Sequence, residues 1–244
     1  MTTSPINTET DFHKLAQEVW NKVHTQVQIP GILSLQPLAN QIINEGVEGD
    51  VVEVGVWEGG CVAFLSKLFA KTDKTVWAVD SYEGFQDPDD GTYTYAGERH
   101  TPKLQEELAN SVWIRYAPSL AVPIERVRKN LLEYDVGEHG NIKFLKGFVN
   151  ETLSQETCPI EKISLLRIDV DAYSATKEVL EGLYDKVVDG GFIIFDDWGV
   201  PEAQDAIRDF FKERGEKSLT LTFPHFDNPH DQTTGRYPYY YKKG

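Results

Sequence analysis

Two groups of residues in this chain have the types and spacing that chemistry requires. The first is the run E-V-G-V-W-E-G-G, Glu53 to Gly60, answered downstream by Asp80 and Ser81. Glycines remove the Cβ and let backbone N–H groups approach a ligand, and a downstream acid suits the paired hydroxyls of a ribose. The pattern reads as a nucleoside-cofactor site. A dinucleotide fingerprint, G-x-G-x-x-G, requires glycine two places after Gly55, and this chain has Trp57 there. The turn is G-x-x-x-G-G and lacks the glycine that admits a pyrophosphate, which points to a nucleoside without phosphate, S-adenosylmethionine. Expected contacts are Glu53, Gly55, Val56, Gly59, Asp80 and Ser81; Gly147 and Phe148 stand at another strand end where ligands gather. The plain alternative is a tight turn that packs a helix on a strand, with Asp80 an ordinary loop acid.

The second group is Asp169, Asp171, Asp196 and Asp197, all expected at the carboxyl ends of neighbouring strands. Clustered like charges raise one another's pKa unless a cation sits among them. Oxygen ligands of this hardness select Mg²⁺, Mn²⁺ or Ca²⁺ over zinc, and no His or Cys lies nearby in sequence. Capping of the following helix is the structural alternative for Asp196 and Asp197. Capping accounts for one acid, not three.

These residues need strands to carry them. The runs D-V-V-E-V-G-V (50–56), T-V-W-A-V (75–79), I-S-L-L-R-I-D (163–169) and G-F-I-I-F (191–195) are short, continuous and apolar, as parallel strands buried on both faces are. A further strand is expected at 141–145. Helices are expected at 9–27, behind Pro37 with Gly46 as stop, at 61–71, at 119–135 begun by Ser119 and Pro123, at 174–187 and from Pro201 to Arg214. Leu219–Phe223 and Arg236–Tyr241 read as an antiparallel pair. The alternation gives an α/β fold with a mostly parallel sheet, whose ligands gather at the carboxyl ends near the switch in strand order. Residues 1–48 form an N-terminal helical extension or lid, whose apolar face is expected against another subunit or over the site. Residues 49–244 form one domain, with an insertion around 84–118.

Composition narrows the partners. The 244 residues carry 24 Lys and Arg against 39 Asp and Glu, a net charge of −15. So acidic a chain is unsuited to nucleic acid or an anionic membrane surface. No apolar run has the length of a membrane span, and the start has no signal-peptide pattern. Cys61 and Cys158 lack metal-site spacing and are expected as unpaired thiols in a reducing cytoplasm.

Five motifs together resemble the macrocin O-methyltransferase family, S-adenosylmethionine-dependent enzymes that methylate sugar hydroxyls of antibiotic natural products. They are G-D-V-V-E-V-G-V-W-E-G-G (49–60), V-D-S-Y-E-G-F (79–85), F-L-K-G followed by F-V-N-E-T-L (144–153), L-R-I-D-V-D-A-Y (166–173) and G-G-F-I-I-F-D-D-W-G (190–199). The resemblance implies a Rossmann-like class I methyltransferase fold, bound Mg²⁺ and a homo-oligomer. It assigns metal ligation to Asp169, Asp196 and Asp197, the ribose to Asp80 and the adenine to Gly147 and Phe148. Residues 86–118 and 224–235 do not align with it.

Methyl transfer from a sulfonium is an in-line displacement that needs positioning and removal of the acceptor's proton. Asp169 is the expected base, with Asp171 and His100 as further candidates; His225 and His230 are candidates for the acceptor pocket. Sugar or polyol hydroxyls are the expected acceptors. A catechol-like diol is the alternative within the class. A nucleotide-dependent oxidoreductase or a non-catalytic binding module on the same fold are the alternatives outside it.

Overall fold

The β-branched and apolar runs form the strands of one sheet. In a computed structural model that describes residues 9–85, 120–136, 140–154, 158–215, 219–222 and 238–244, these are β1 (Asp50–Val54), β2 (Val76–Asp80), β3 (Ile142–Lys146), β4 (Ile163–Ile168), β5 (Val187–Phe195) and β6 (Tyr239–Lys242). The order is β3-β2-β1-β4-β5-β6, parallel throughout except that β6 runs against β5. The chain steps outward from β1 to β3, then returns to β4 on the other side of β1. The strand order therefore reverses between β1 and β4, and the carboxyl ends there open the crevice where such sheets bind ligands. Glu53 on β1 lies beside Arg167 on β4, which lies beside Ile194 on β5.

Strand alternation divides the core in two. Val51, Ala78, Leu165, Phe192 and Ile194 face one layer, and Val52, Val79, Leu166, Ile193 and Phe195 the other. The first layer holds the helices α1 (Glu9–Asn21), α3 (Leu35–Glu45), α4 (Gly60–Leu68) and α5 (Ile124–Leu132), with the short α2 (Ile29–Leu33) between α1 and α3. After β3 comes the single turn α6 (Val149–Thr152); α7 (Tyr173–Leu183) and α8 (Pro201–Glu213) cover the second face. Glu53 and Arg167 follow the parity of Val51 and Leu165, so two charged groups stand in an otherwise apolar layer.

The helix ends differ from the sequence expectation in two places. The helix behind Pro37 starts at Leu35, because proline is tolerated in a first turn whose N–H groups have no partner. Gly46 ends it in the left-handed conformation (φ 64°), as expected. The first helix stops at Asn21, not 27: Val23 turns left-handed (φ 58°) and the His24 N–H closes on the Val19 carbonyl at 3.1 Å.

The apolar face of α1 is also placed differently. Leu15, Ala16 and Val19 are buried in the chain's own core, and Phe12 meets Phe64 edge-on at 5.7 Å. The face expected to await another subunit or to roof the site instead packs on α4. The Thr222–Tyr240 bridge supplies the antiparallel contact expected near the end of the chain. Cys61 and Cys158 are both free thiols, and no described helix is long and apolar enough to cross a membrane. His100, His225, His230 and the insertion from residue 86 onward lie outside the described residues.

Candidate active site

The glycine turn links β1 to α4, and its glycines answer to different neighbours. Gly55 (φ 88°) is where β1 ends; a Cβ there would stand 1.7 Å from the carbonyl oxygen of Asp169. This glycine exists to admit the exit of β4, so the turn and the acidic strand end touch through their backbones. Gly59 (φ 90°) would drive a Cβ to 2.8 Å from Val127 of α5. At Gly60 the N–H donates to the His24 carbonyl at 2.8 Å, and a Cβ would meet that oxygen and Val19 at 2.4 Å. The first free N–H of α4 is thus capped by the chain itself, in the position where a dinucleotide's phosphate would sit.

Asp80 stands at the end of β2, facing the turn. Its Oδ2 accepts the N–H of Val56 at 2.6 Å and of Trp57 at 3.3 Å; its Oδ1 accepts the N–H of Tyr82 at 2.7 Å. A carboxylate accepts about four hydrogen bonds, which leaves capacity for a ribose hydroxyl. The Ser81 hydroxyl donates to the Gly84 carbonyl at 2.7 Å and shapes the next loop. Gly147 (φ 144°) donates its N–H to the Asp80 carbonyl at 3.0 Å, and Phe148 begins α6 beside it. Val56, Gly59, Asp80, Gly147 and Phe148 are therefore all at the carboxyl edge, on neighbouring segments.

Glu53 is placed otherwise than the other expected cofactor contacts. It is 1% exposed, and its Oε1 accepts Arg167 Nη1 at 2.7 Å. Burial pushes its carboxyl up to about 7, against the pull of Arg167. Its Oε2 is buried without a hydrogen-bond partner among the described residues.

Asp169, Asp196 and Asp197 each bring a carboxylate oxygen within 4.8 Å of the others. They come from the ends of β4 and β5, as the sequence predicts. Asp171 joins them through its backbone, donating its N–H to Asp197 Oδ2 at 2.8 Å. Burial, then the surrounding carboxylates, hold Asp169 and Asp197 well above the usual range; burial first raises Asp171 to about 6. Three carboxylates against one guanidinium at this spacing suit a hard divalent cation. Trp198 follows directly, tilted against Tyr239 of β6 at 5.8 Å, and forms an aromatic wall beside the acids.

Three residues of other types hold left-handed backbone at these strand ends: Trp57 (φ 47°), Tyr82 (φ 58°) and Asp171 (φ 57°). Each costs of order 1–2 kcal/mol, and such strain collects where ligands bind.

Sequence reasoning did not single out two anchoring sets. Buried Glu58 in the turn is bonded by Arg126 at 2.5 Å and Asn130 at 2.8 Å, both on α5. Arg167, 1% exposed, stands behind the acids. The visible signals were a mid-helix asparagine and an arginine inside an apolar strand.

The sequence model of the macrocin-O-methyltransferase (TylF) family matches residues 6–227. The chain belongs to the macrocin O-methyltransferase family. This family member is an O-methyltransferase on a class I methyltransferase fold, and the oxidoreductase and binding-module alternatives fall away. It is 37% identical over 191 residues to the demethyldecarbamoylnovobiocin O-methyltransferase of Streptomyces niveus, covering 77% of this chain and 67% of that one. It is 30% identical over 195 residues to the mycinamicin III 3''-O-methyltransferase of Micromonospora griseorubida, covering 79% and 72%. The solved structure of the O-methyltransferase NovP superposes with a TM-score of 0.71 at 28% identity, over 90% of this chain and 82% of that one.

Proposed function

We propose that this enzyme moves a methyl group from S-adenosylmethionine to a hydroxyl on a sugar of a secondary metabolite, with a divalent cation, Mg²⁺ first among them, at Asp169, Asp196 and Asp197. The carrying observation is the contact between Gly55 and the Asp169 carbonyl, which sets the donor turn against the acidic strand end. The names of the two relatives, both O-methyltransferases of antibiotics, support the acceptor class.

The residues divide the work. Asp80 and the N–H groups of the Glu53–Gly60 turn bind and orient the nucleoside, with Gly147 and Phe148 beside the base. Asp169 keeps 26% of its side-chain surface and Asp196 16%, so both reach the crevice from a buried setting. Asp169 accepts the proton of the acceptor hydroxyl as its oxygen takes the methyl group and the sulfonium leaves as a thioether. A bound cation supplies acidification of that hydroxyl and a fixed orientation. Trp198 and Tyr239 exclude water on one side.

The test is methyl transfer to glycosylated acceptors with adjacent hydroxyls, with a catechol in parallel, before and after chelation. Loss of transfer on chelation, restored by Mg²⁺, is the expected result, as is its loss in Asp196→Asn. Full rate in the chelated enzyme overturns the cation assignment, and transfer confined to the catechol overturns the acceptor class.

A further inference from the structure

The cation site has three carboxylates from two strands and, directly behind them, one fully buried arginine. Arg167 Nη1 is anchored to Glu53 Oε1 at 2.7 Å. Its Nη2 lies 2.9 Å from Asp169 Oδ2 and 2.6 Å from Asp196 Oδ1. Neither Nη2 contact is aligned as a hydrogen bond, for Arg167 Nη2 and Asp196 Oδ1 are both buried without such a partner. The two carboxylates are therefore drawn in by charge and left with unspent lone pairs. The ladder fixes the arginine's place, since Glu53, Arg167 and Ile194 are in register on β1, β4 and β5. Three carboxylates, Glu53, Asp169 and Asp196, contact this one guanidinium.

We propose that Arg167 is a positioning residue: anchored by Glu53, its guanidinium gathers Asp169 and Asp196 from two strand ends into the spacing that a divalent cation needs. The proposal rests on the cation reading above. A planar fork can face Glu53 along one edge and two acids along the other, which a lysine ammonium cannot do. Glu53 then serves the site from the rear, which accounts for an acid in the middle of a buried strand.

The sign of the effect makes the proposal testable. A fixed positive charge beside two ligands repels a second cation, so if Arg167 acted only as a charge, its removal would tighten cation binding. A positioning role predicts the opposite. The experiment measures Mn²⁺ affinity by calorimetry on the full chain, with S-adenosylhomocysteine affinity in parallel, for the parent, Arg167→Lys and Arg167→Met. Lys keeps the charge and loses the fork; Met loses both. We expect both variants to bind Mn²⁺ about tenfold or more weakly, the usual cost of losing a group that orients metal ligands. S-adenosylhomocysteine affinity, titrated without metal, should stay within about threefold, whereas a fold-wide disturbance would lower it as well. If Arg167→Met does not fold, Arg167→Lys carries the test. Unchanged or tighter Mn²⁺ binding overturns the proposal, as does a joint loss of both ligands. A parent chain that binds no Mn²⁺ overturns the cation reading itself, a result distinguishable from either.

Discussion

Three carboxylates at the crevice, Asp169, Asp171 and Asp197, are held above the usual range, chiefly by burial. Asp171 has a folded pKa of about 6, above the roughly 3.9 of an unfolded aspartate. The folded chain binds that proton more tightly, so its contribution to stability is present at low pH and is lost as pH rises from about 4 through 6. Asp169 and Asp197 are shifted the same way. A cation offsets the charge that appears on deprotonation. The gain in melting temperature on adding Mg²⁺ should therefore be larger at pH 7.5 than at pH 5, by about 3 °C or more. Equal gains at both would place the cation elsewhere. Asp80 gathers three backbone N–H groups on one carboxylate, on the side proposed for the donor. Asp80→Ala should weaken S-adenosylhomocysteine by roughly tenfold to a hundredfold, the cost of about 1.5–3 kcal/mol for charged hydrogen bonds. Calorimetry showing parental affinity would remove Asp80 from the donor site.

Among the elements, the ends of the helices carry the least visible information. Helix α1 closes with the His24 N–H on the Val19 carbonyl, a turn whose left-handed position normally belongs to glycine, and here it is Val23. Val23 is 64% exposed, so little packing opposes a change. Val23→Gly should relieve strain and stabilise the fold by about 1 kcal/mol, a rise of roughly 2–4 °C in melting temperature. A lower melting temperature would mean that the valine's own contacts outweigh the strain. The same residue explains why the sequence reading carried α1 to residue 27: apolar spacing continues through Val23, and no glycine marks the stop. The strands were legible because buried parallel strands leave unbroken β-branched runs, and Asp196 and Asp197 were legible because they end one. Arg167 sits within such a run in plain sight, yet its role depends on strand register. Glu53, two residues before Gly55, becomes meaningful only beside β4. Register joins residues 114 positions apart, and local patterns carry no record of it.

At the scale of the whole molecule, a sheet with its strand order reversed between β1 and β4 brings the donor turn and the acidic ends together without any loop reaching across. The antiparallel β6 ends the sheet beyond β5: Tyr240 packs edge-on against Phe192 at 5.6 Å, and Lys243 Nζ binds the carbonyls of Tyr184 and Val187 at 3.0 and 2.7 Å. The net charge of −15 gives a general self-repulsion between copies of the chain.

The meeting of Gly55 with the Asp169 carbonyl also has a thermodynamic side. A donor bound at the turn and a cation bound at the acidic strand end would share this backbone contact as a wall. Movement of that wall on filling one site changes the other, and binding free energies must then be reciprocal: the factor by which Mn²⁺ alters S-adenosylhomocysteine affinity equals the factor by which S-adenosylhomocysteine alters Mn²⁺ affinity. We expect that factor to be about fivefold or more, measured by titrating each ligand in the absence and the presence of the other. Two independent sites would give a factor of one. Gly55→Ala would push the wall outward on both sides at once, making a single methyl group an obstacle to two unlike ligands.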